Sequence, residues 1–252
     1  MSTSSTPTLT VPTLPRATAT PRQVGARGPI RVAVIGATGY AGGELVRWLA
    51  AHPAVTIAGL VGRDRDGEPI ERSQPHLAAT GLRVDGAVPD VDAVFLALPH
   101  GQAASIAPGL AAGGRAVIDL GADFRLHDPA DYPRWYHLTH PAPERLATAV
   151  YGLPELHRAE LAAAGGTVGP IVGAPGCYPT AAILALAPLA RAGLLDDVVV
   201  DAKSGVSGAG REPRPDLAFS EVNESTRAYA IDGHRHSAEM DQQLGAAARA
   251  GG

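Results

Sequence analysis

The sequence predicts an α/β protein built on a doubly wound parallel sheet, and three observations carry that prediction. Short β-branched runs alternate with amphipathic stretches from residue 30 onward, the order required by parallel strands joined through crossover helices. A glycine-rich turn at residues 36–42 stands between the first such run and the first helical stretch. Apolar residues make up 45% of the 252 but aromatics only 4%, so the core must be assembled from Ala, Val, Leu and Ile, as suits a layered α/β interior. The same composition excludes a disordered polymer.

In order along the chain, Ile30–Ile35 reads as the first strand, and the stretch through Leu45, Val46, Trp48 and Leu49 as the first helix. Strands are expected next at 55–61, 93–98 and 116–120, with a helix at 102–112. Between 121 and 154 the rhythm is lost in a stretch dense in Asp, Arg, Pro, Tyr and His, which reads as a connection or a site-forming insert. A second unit follows: a strand at 167–172, a Gly/Pro turn at 173–176, a helix at 179–192, a strand at 198–203, a Gly-rich turn and a helix at 237–249. The expected organisation is a tail at 1–29, a dinucleotide-binding domain at 30–175, and a second, α+β substrate domain at 176–252. That domain is expected to be incomplete, because two strands make a thin sheet.

Charge and punctuation narrow the partners. A net charge of −4 with no Lys/Arg block speaks against nucleic acid and anionic membranes and for a small-molecule ligand. Residues 1–29 are rich in Ser, Thr and Pro and contain no acid. Arg16, Arg22 and Arg27 echo an organelle transit peptide, but Pro7, Pro12, Pro15, Pro21 and Pro29 would break its amphipathic helix, so a disordered tail is expected. The longest charge-free run, 161–190, is interrupted by five glycines and four prolines and predicts no membrane span. A single cysteine, Cys177, allows no internal disulfide and points to a reducing, cytoplasmic compartment.

The turn GATGYAG places Gly36 where the chain must bend sharply, Gly39 where backbone approaches a pyrophosphate, and Gly42 where the helix packs on the sheet. This is the Rossmann arrangement, with a G-x-x-G-x-x-G spacing. At the end of the second strand, where an NAD site would carry an acid, stands Arg63. A guanidinium there favours the 2′-phosphate of NADP, although a solvated Arg beside Asp64 gives the same pattern.

Cys177 lies in GAPGCYPT just before a helix, where a helix N-terminus favours the thiolate and offers unpaired N–H groups to an oxyanion. A small buried core thiol is the competing reading. His234 and His236, in GHRHSAEM, are the groups able to move protons near neutral pH. Two histidines without a further Cys/His cluster predict no metal site. The loop KSGVSGAGR, 203–211, can wrap an anion or a cofactor ring with backbone donors, or be a plain surface loop.

Seven motifs in one order, GATGYAG, FLALPHG, DLGADFRL, YGLPEL, APGCYPT, SGVSGAG and GHRHSAEM, resemble the N-acetyl-gamma-glutamyl-phosphate reductases of the semialdehyde dehydrogenase group, from about Ile30 to the end. The resemblance implies NADPH-dependent reduction of an acyl phosphate to a semialdehyde in arginine biosynthesis, through a thioester on Cys177, by a homo-oligomer. It assigns proton handling to His234 and His236, with His234 favoured as the base. Cofactor contacts carry over to Gly36, Thr38, Gly39, Tyr40, Gly42, Pro99, Ser204 and Gly205, and Arg125, Lys203, Arg211 and Arg235 become candidates for the substrate's anionic groups. Family members continue beyond the GHRH segment, so a truncated, non-catalytic NADP-binding remnant is one alternative. An aspartate-semialdehyde dehydrogenase-type reductase is the other.

Overall fold

A computed structural model describes residues 28–63 and 65–251 of the chain; most of the expected tail, and Asp64, lie outside them. Six parallel strands form one sheet: β1 (Ile30–Ile35), β2 (Val55–Val61), β3 (Ala93–Leu96), β4 (Ala116–Asp119), β5 (Val150–Tyr151) and β6 (Ile171–Gly173), in the order β2-β1-β3-β4-β6-β5.

Strand β1 shows why the sheet is covered twice. Its alternate residues enter two different cores: Val32 and Val34 join Val46 and Leu49 of helix α1 (Tyr40–Ala50), while Ala33 and Ile35 join Ala103, Ala107 and Leu110 of helix α2 (Ala103–Ala112). Both faces are buried, as an all-apolar parallel strand requires. Burial of Ala103, Ala104, Ala107, Leu110 and Ala111 follows the 3.6-residue period that the sequence shows.

Beyond β4 lie a short helix α3 (Asp131–Tyr136), then β5, and helix α4 (Pro154–Gly165). The chain returns through β6, inserted between β4 and β5, to helix α5 (Cys177–Arg191). After a one-turn helix α6 (Phe219–Val222), helix α7 (His236–Gly251) packs along α5 through Ile183, Ala187, Ala190 and Ala247.

Three expectations change. The strand expected at 167–172 is confined to Ile171–Gly173 and belongs to the main sheet rather than to a second one. Gly169 adopts φ +63° where a Cβ would lie 2.0 Å from the Ala111 carbonyl oxygen, so the chain is still turning against α2 there. Residues 198–203 form no strand. Val199 is 94% exposed, and among the described residues no strand lies alongside to complete its hydrogen bonds. Helix α5 starts at Cys177 rather than Pro179, which makes the thiol part of its first turn.

Candidate active site

The sheet's topology opens a crevice. From β1 the chain crosses to β2 on one side and then to β3 on the other, so the connections part at the carboxyl ends of β1 and β3. The cleft there is lined by Gly36, Thr38, Gly39, Arg63, Pro99 and Gln102, among others. Gly36 has φ +88°, and a Cβ on it would come within 2.2 Å of the Ala97 carbonyl oxygen. One on Gly42 would come within 2.1 Å of the Gly36 carbonyl oxygen. Only glycine fits either place. Gly39 caps α1 with no side-chain hydrogen bond and the first turn carries no acid; the N–H groups of Tyr40, Ala41 and Gly42, which lack intrahelical acceptors, are available to an anion with the helix dipole behind them. These residues fit a dinucleotide pyrophosphate. Of the expected cofactor residues, Gly36, Thr38, Gly39, Arg63 and Pro99 line the cleft, and Tyr40 and Gly42 belong to the adjoining helix turn. Ser204 and Gly205 are exposed and do not line it.

The thiol lies farther along the carboxyl edge of the sheet, after β6. Cys177 is exposed and is the first residue of α5, capped by Gly176 in an extended conformation (φ −69°, ψ 161°). The Gly176 carbonyl oxygen accepts from the Thr180 amide at 2.9 Å and from its hydroxyl at 2.8 Å. Cys177 and Tyr178 retain N–H groups without intrahelical acceptors, and Pro179 has none to lose. Two donors beside the sulfur are what a tetrahedral oxyanion at a Cys-bound carbon needs.

His236 packs on the Gly176 side of this turn, where a Cβ on Gly176 would lie 2.7 Å from His236 Nε2 and 2.9 Å from Arg125 Nη1, and His234 on the Tyr178 side. His236 is buried, and its Nδ1 has no partner. Burial, reinforced by the positive charges of Arg125 and Arg235, pushes its pKa down to about 3, so the ring rests neutral. In His234, Nδ1 accepts the His236 backbone N–H at 3.1 Å and Nε2 lies 3.3 Å from the Tyr229 hydroxyl. The ring packs edge-on against Tyr178, and burial followed by Arg235 lowers its pKa as well. Both nitrogens of His234 are therefore engaged, while His236 keeps one free.

Behind the pair is a residue the sequence reading missed. Glu239 is fully buried; its Oε1 accepts from the Tyr151 hydroxyl at 2.6 Å and from the Gly176 N–H at 2.8 Å, and Oε2 lies 3.6 Å from Arg125 Nη1. One carboxylate thus joins β5, the start of α5, the loop after β4 and α7. The signal was present: Glu239 stands three residues after His236, on the same helical face.

The four candidate cations separate. Arg125 is buried and committed, donating from Nε to the Ala174 carbonyl at 2.7 Å and from Nη2 to that of Leu120 at 3.0 Å. Lys203 is exposed and paired with Asp201. Arg211 reaches the phosphate-binding turn instead of the thiol, donating to the Thr38 carbonyl oxygen at 2.6 Å. Arg235 is exposed, and its positive charge adds to burial in lowering the pKa of His100, His234 and His236. Among the described residues no group of three or more His, Cys, Asp or Glu side chains is arranged to hold a metal ion, and no helix is long and apolar enough to cross a membrane.

A parallel sheet with this turn at its switch point defines the class of dinucleotide-binding α/β proteins. The family model for the semialdehyde dehydrogenase NAD binding domain matches residues 31–164, and that for the semialdehyde dehydrogenase dimerisation domain matches 177–251. The chain belongs to the semialdehyde dehydrogenase family. It is 47% identical over 230 residues to the N-acetyl-gamma-glutamyl-phosphate reductase of Heliobacterium modesticaldum, with 88% of this chain and 64% of that protein covered. To the reductase of the same name from Moorella thermoacetica it is 45% identical over 227 residues, covering 87% and 64%. The chain therefore spans just under two thirds of the length of these relatives. A solved structure described as a probable aspartate-semialdehyde dehydrogenase from Pseudomonas aeruginosa shares the fold, with a TM-score of 0.56 at 21% identity over 87% of this chain and 67% of that one.

Proposed function

We propose that this protein reduces N-acetyl-L-glutamyl 5-phosphate to N-acetyl-L-glutamate 5-semialdehyde with release of phosphate, using NADPH, as a step of arginine biosynthesis in the cytoplasm. The observation that carries the reading is the neutral imidazole of His236 against the turn that bears Cys177, in a chain whose relatives at 44–47% identity bear that reductase name.

In this mechanism His236 accepts the Cys177 proton, and the thiolate attacks the acyl carbon. The C–O bond to phosphate breaks, phosphate leaves and takes a proton from water, and a thioester remains on Cys177. The N–H groups of Cys177 and Tyr178 hold the oxyanion formed at the attack. NADPH, held in the cleft by Gly36, Thr38, Gly39 and Arg63, would supply the hydride that the thioester carbon accepts. The resulting alkoxide collapses, the C–S bond breaks, the semialdehyde departs, and the thiolate recovers its proton from His236. His234 is the orienting partner, fixing the His236 backbone from Nδ1, and Arg235 is an exposed cation available to the incoming phosphate. A doubly negative phosphate near His236 offsets the arginine charges that depress its basicity. Arg63, in the cleft at the end of β2, supports NADPH over NADH. The dimerisation-domain match, together with exposed Val199, Phe219 and Ile231 within it, supports a homo-oligomer.

The 252-residue chain mixed with NADPH and either N-acetylglutamyl phosphate or aspartyl phosphate tests the reading. NADPH oxidation dependent on the former is expected. Preference for aspartyl phosphate would transfer the chain to the shorter-substrate reductases. A melting shift with NADP and no oxidation of NADPH would instead establish dinucleotide binding without turnover.

A further inference from the structure

We infer that Arg211 is a dinucleotide-clasping residue, which draws the loop at 203–211 onto the phosphate-binding turn and supplies the positive charge that turn lacks. The inference rests on the NADP reading above and reassigns a cation that the sequence offered to the substrate.

The turn GATGYAG has no Lys or Arg, and the one basic residue of α1, Arg47, stands in its last turn. Attraction for a pyrophosphate therefore depends on backbone N–H groups unless a cation comes from elsewhere. Arg211 comes from 173 residues away: Nη1 donates to the Thr38 carbonyl oxygen at 2.6 Å, Nη2 to the Ser73 carbonyl oxygen at 2.6 Å, and the guanidinium carbon lies 5.6 Å from the centre of the Tyr40 ring. Gln74 works beside it, donating from Nε2 to the carbonyl oxygens of Gly39 at 2.6 Å and Thr38 at 3.1 Å.

Two consequences follow. The carbonyl side of the turn is occupied by Arg211 and Gln74, which fixes its peptide planes; the Gly39 N–H is already used on the Gly36 carbonyl oxygen at 3.0 Å, and the Tyr40 N–H that follows stays available to an anion. A planar fork is also required, because the two acceptor carbonyls belong to separate segments and an ammonium cannot reproduce that bidentate grip. Gly210 delivers the side chain from φ +91°, ψ −174°, a conformation in effect limited to glycine. The loop carrying Ser204 and Gly205 is tied to the turn at this residue, so the clasp links 203–211 to occupation of the dinucleotide site.

Nucleotide titration of the whole chain by NADPH and NADH fluorescence separates this role from its rivals. Arg211→Ala is expected to raise the Kd of both nucleotides by a similar factor, on the order of tenfold, because the pyrophosphate is common to them. Arg211→Lys is expected to recover only part of that loss. Arg63→Ala, by contrast, is expected to weaken NADPH selectively. The KM for the acyl phosphate should be unchanged in Arg211→Ala. Unchanged nucleotide affinity, or a raised acyl-phosphate KM with normal nucleotide affinity, overturns the clasp and leaves the NADP reading intact. A wild-type chain that binds neither nucleotide overturns the NADP reading and the clasp with it. Arg211 is exposed, and a melting temperature within a few degrees of wild type in both variants confirms folding.

Discussion

Two buried titratable groups pull the stability of this chain in opposite directions as pH changes. Asp119, fully buried at the end of β4, has its pKa raised to about 7 by burial and then by the Asp123 charge. Between about pH 4 and 7 the folded chain keeps a proton that the unfolded chain has released, so stability falls as pH rises. His236, held at about 3, refuses a proton that the unfolded chain accepts below about 6.5, so stability falls as pH drops through that window. Shifts of roughly three units correspond to on the order of 4 kcal/mol each, with opposite slopes. Asp119→Asn should therefore gain stability from pH 4 to 6.5 more steeply than wild type in thermal melts, and His236→Gln should show the reverse. Superimposable profiles would contradict these environments. Glu239→Ala strands Arg125, the Gly176 N–H and the Tyr151 hydroxyl, and urea unfolding should register a loss of about 3 kcal/mol. At this scale the sequence exposed residues whose chemistry is intrinsic, Cys177 and the His pair. It hid Glu239, whose importance arises from burial among donors drawn from three separate segments.

Among the elements, legibility followed the number of buried residues each contributes. Strands β1 and β2 and helix α2 have several apolar residues in period and lie within a residue of their expected bounds, and helix α1 contains the four residues that marked it. Strand β5 has only Val150 and Tyr151, too few to show a period, and it passed unseen inside the expected insert. Residues 198–203 were misread because a Val-Val-Val run has strand propensity, whereas a strand also needs a neighbour. The start of α5 is an element-scale device that only glycine permits. Gly176→Ala should drive its methyl into His236 and Arg125 and slow alkylation of Cys177 by iodoacetamide or expel the imidazole. An unchanged alkylation rate and pH profile would show that the ring is not packed against that turn. Gly42→Ala, with a Cβ 2.1 Å from the Gly36 carbonyl oxygen, should lose NADPH affinity at least tenfold by fluorescence titration while sparing the thiol's reactivity.

Over the whole molecule, the sheet and its two cores form the rigid frame, and the stretch from 195 to 235 is its exposed margin. Val32, Ala33, Val34, Val94, Leu96 and Val117 are at most 2% exposed, whereas Val199, Phe219 and Ile231 are 77–94% exposed. Hydrogen exchange should divide accordingly, with amides of β1, β3 and β4 among the slowest and those of 198–235 among the fastest. Slow exchange across 198–203 would instead reveal a pairing partner, a second copy of the chain being the one that the dimerisation-domain match supports. The doubly wound sheet could be read in advance because alternation of strand and helix is a sequence-wide pattern. The meeting of the sheet's carboxyl edge with α7 could not, since it depends on a contact between residues 63 positions apart.

The central claim is that Cys177 takes the acyl group from its phosphate. Mixing the chain with N-acetylglutamyl phosphate in the absence of NADPH, then measuring released phosphate and the mass of the peptide containing Cys177, tests it most directly. About one phosphate per chain should appear in a burst, accompanied by the mass of an N-acetylglutamyl group on that peptide, and Cys177→Ala should give neither. Oxidation of NADPH by the same substrate with no burst, or with an adduct on another residue, would contradict covalent catalysis by this thiol.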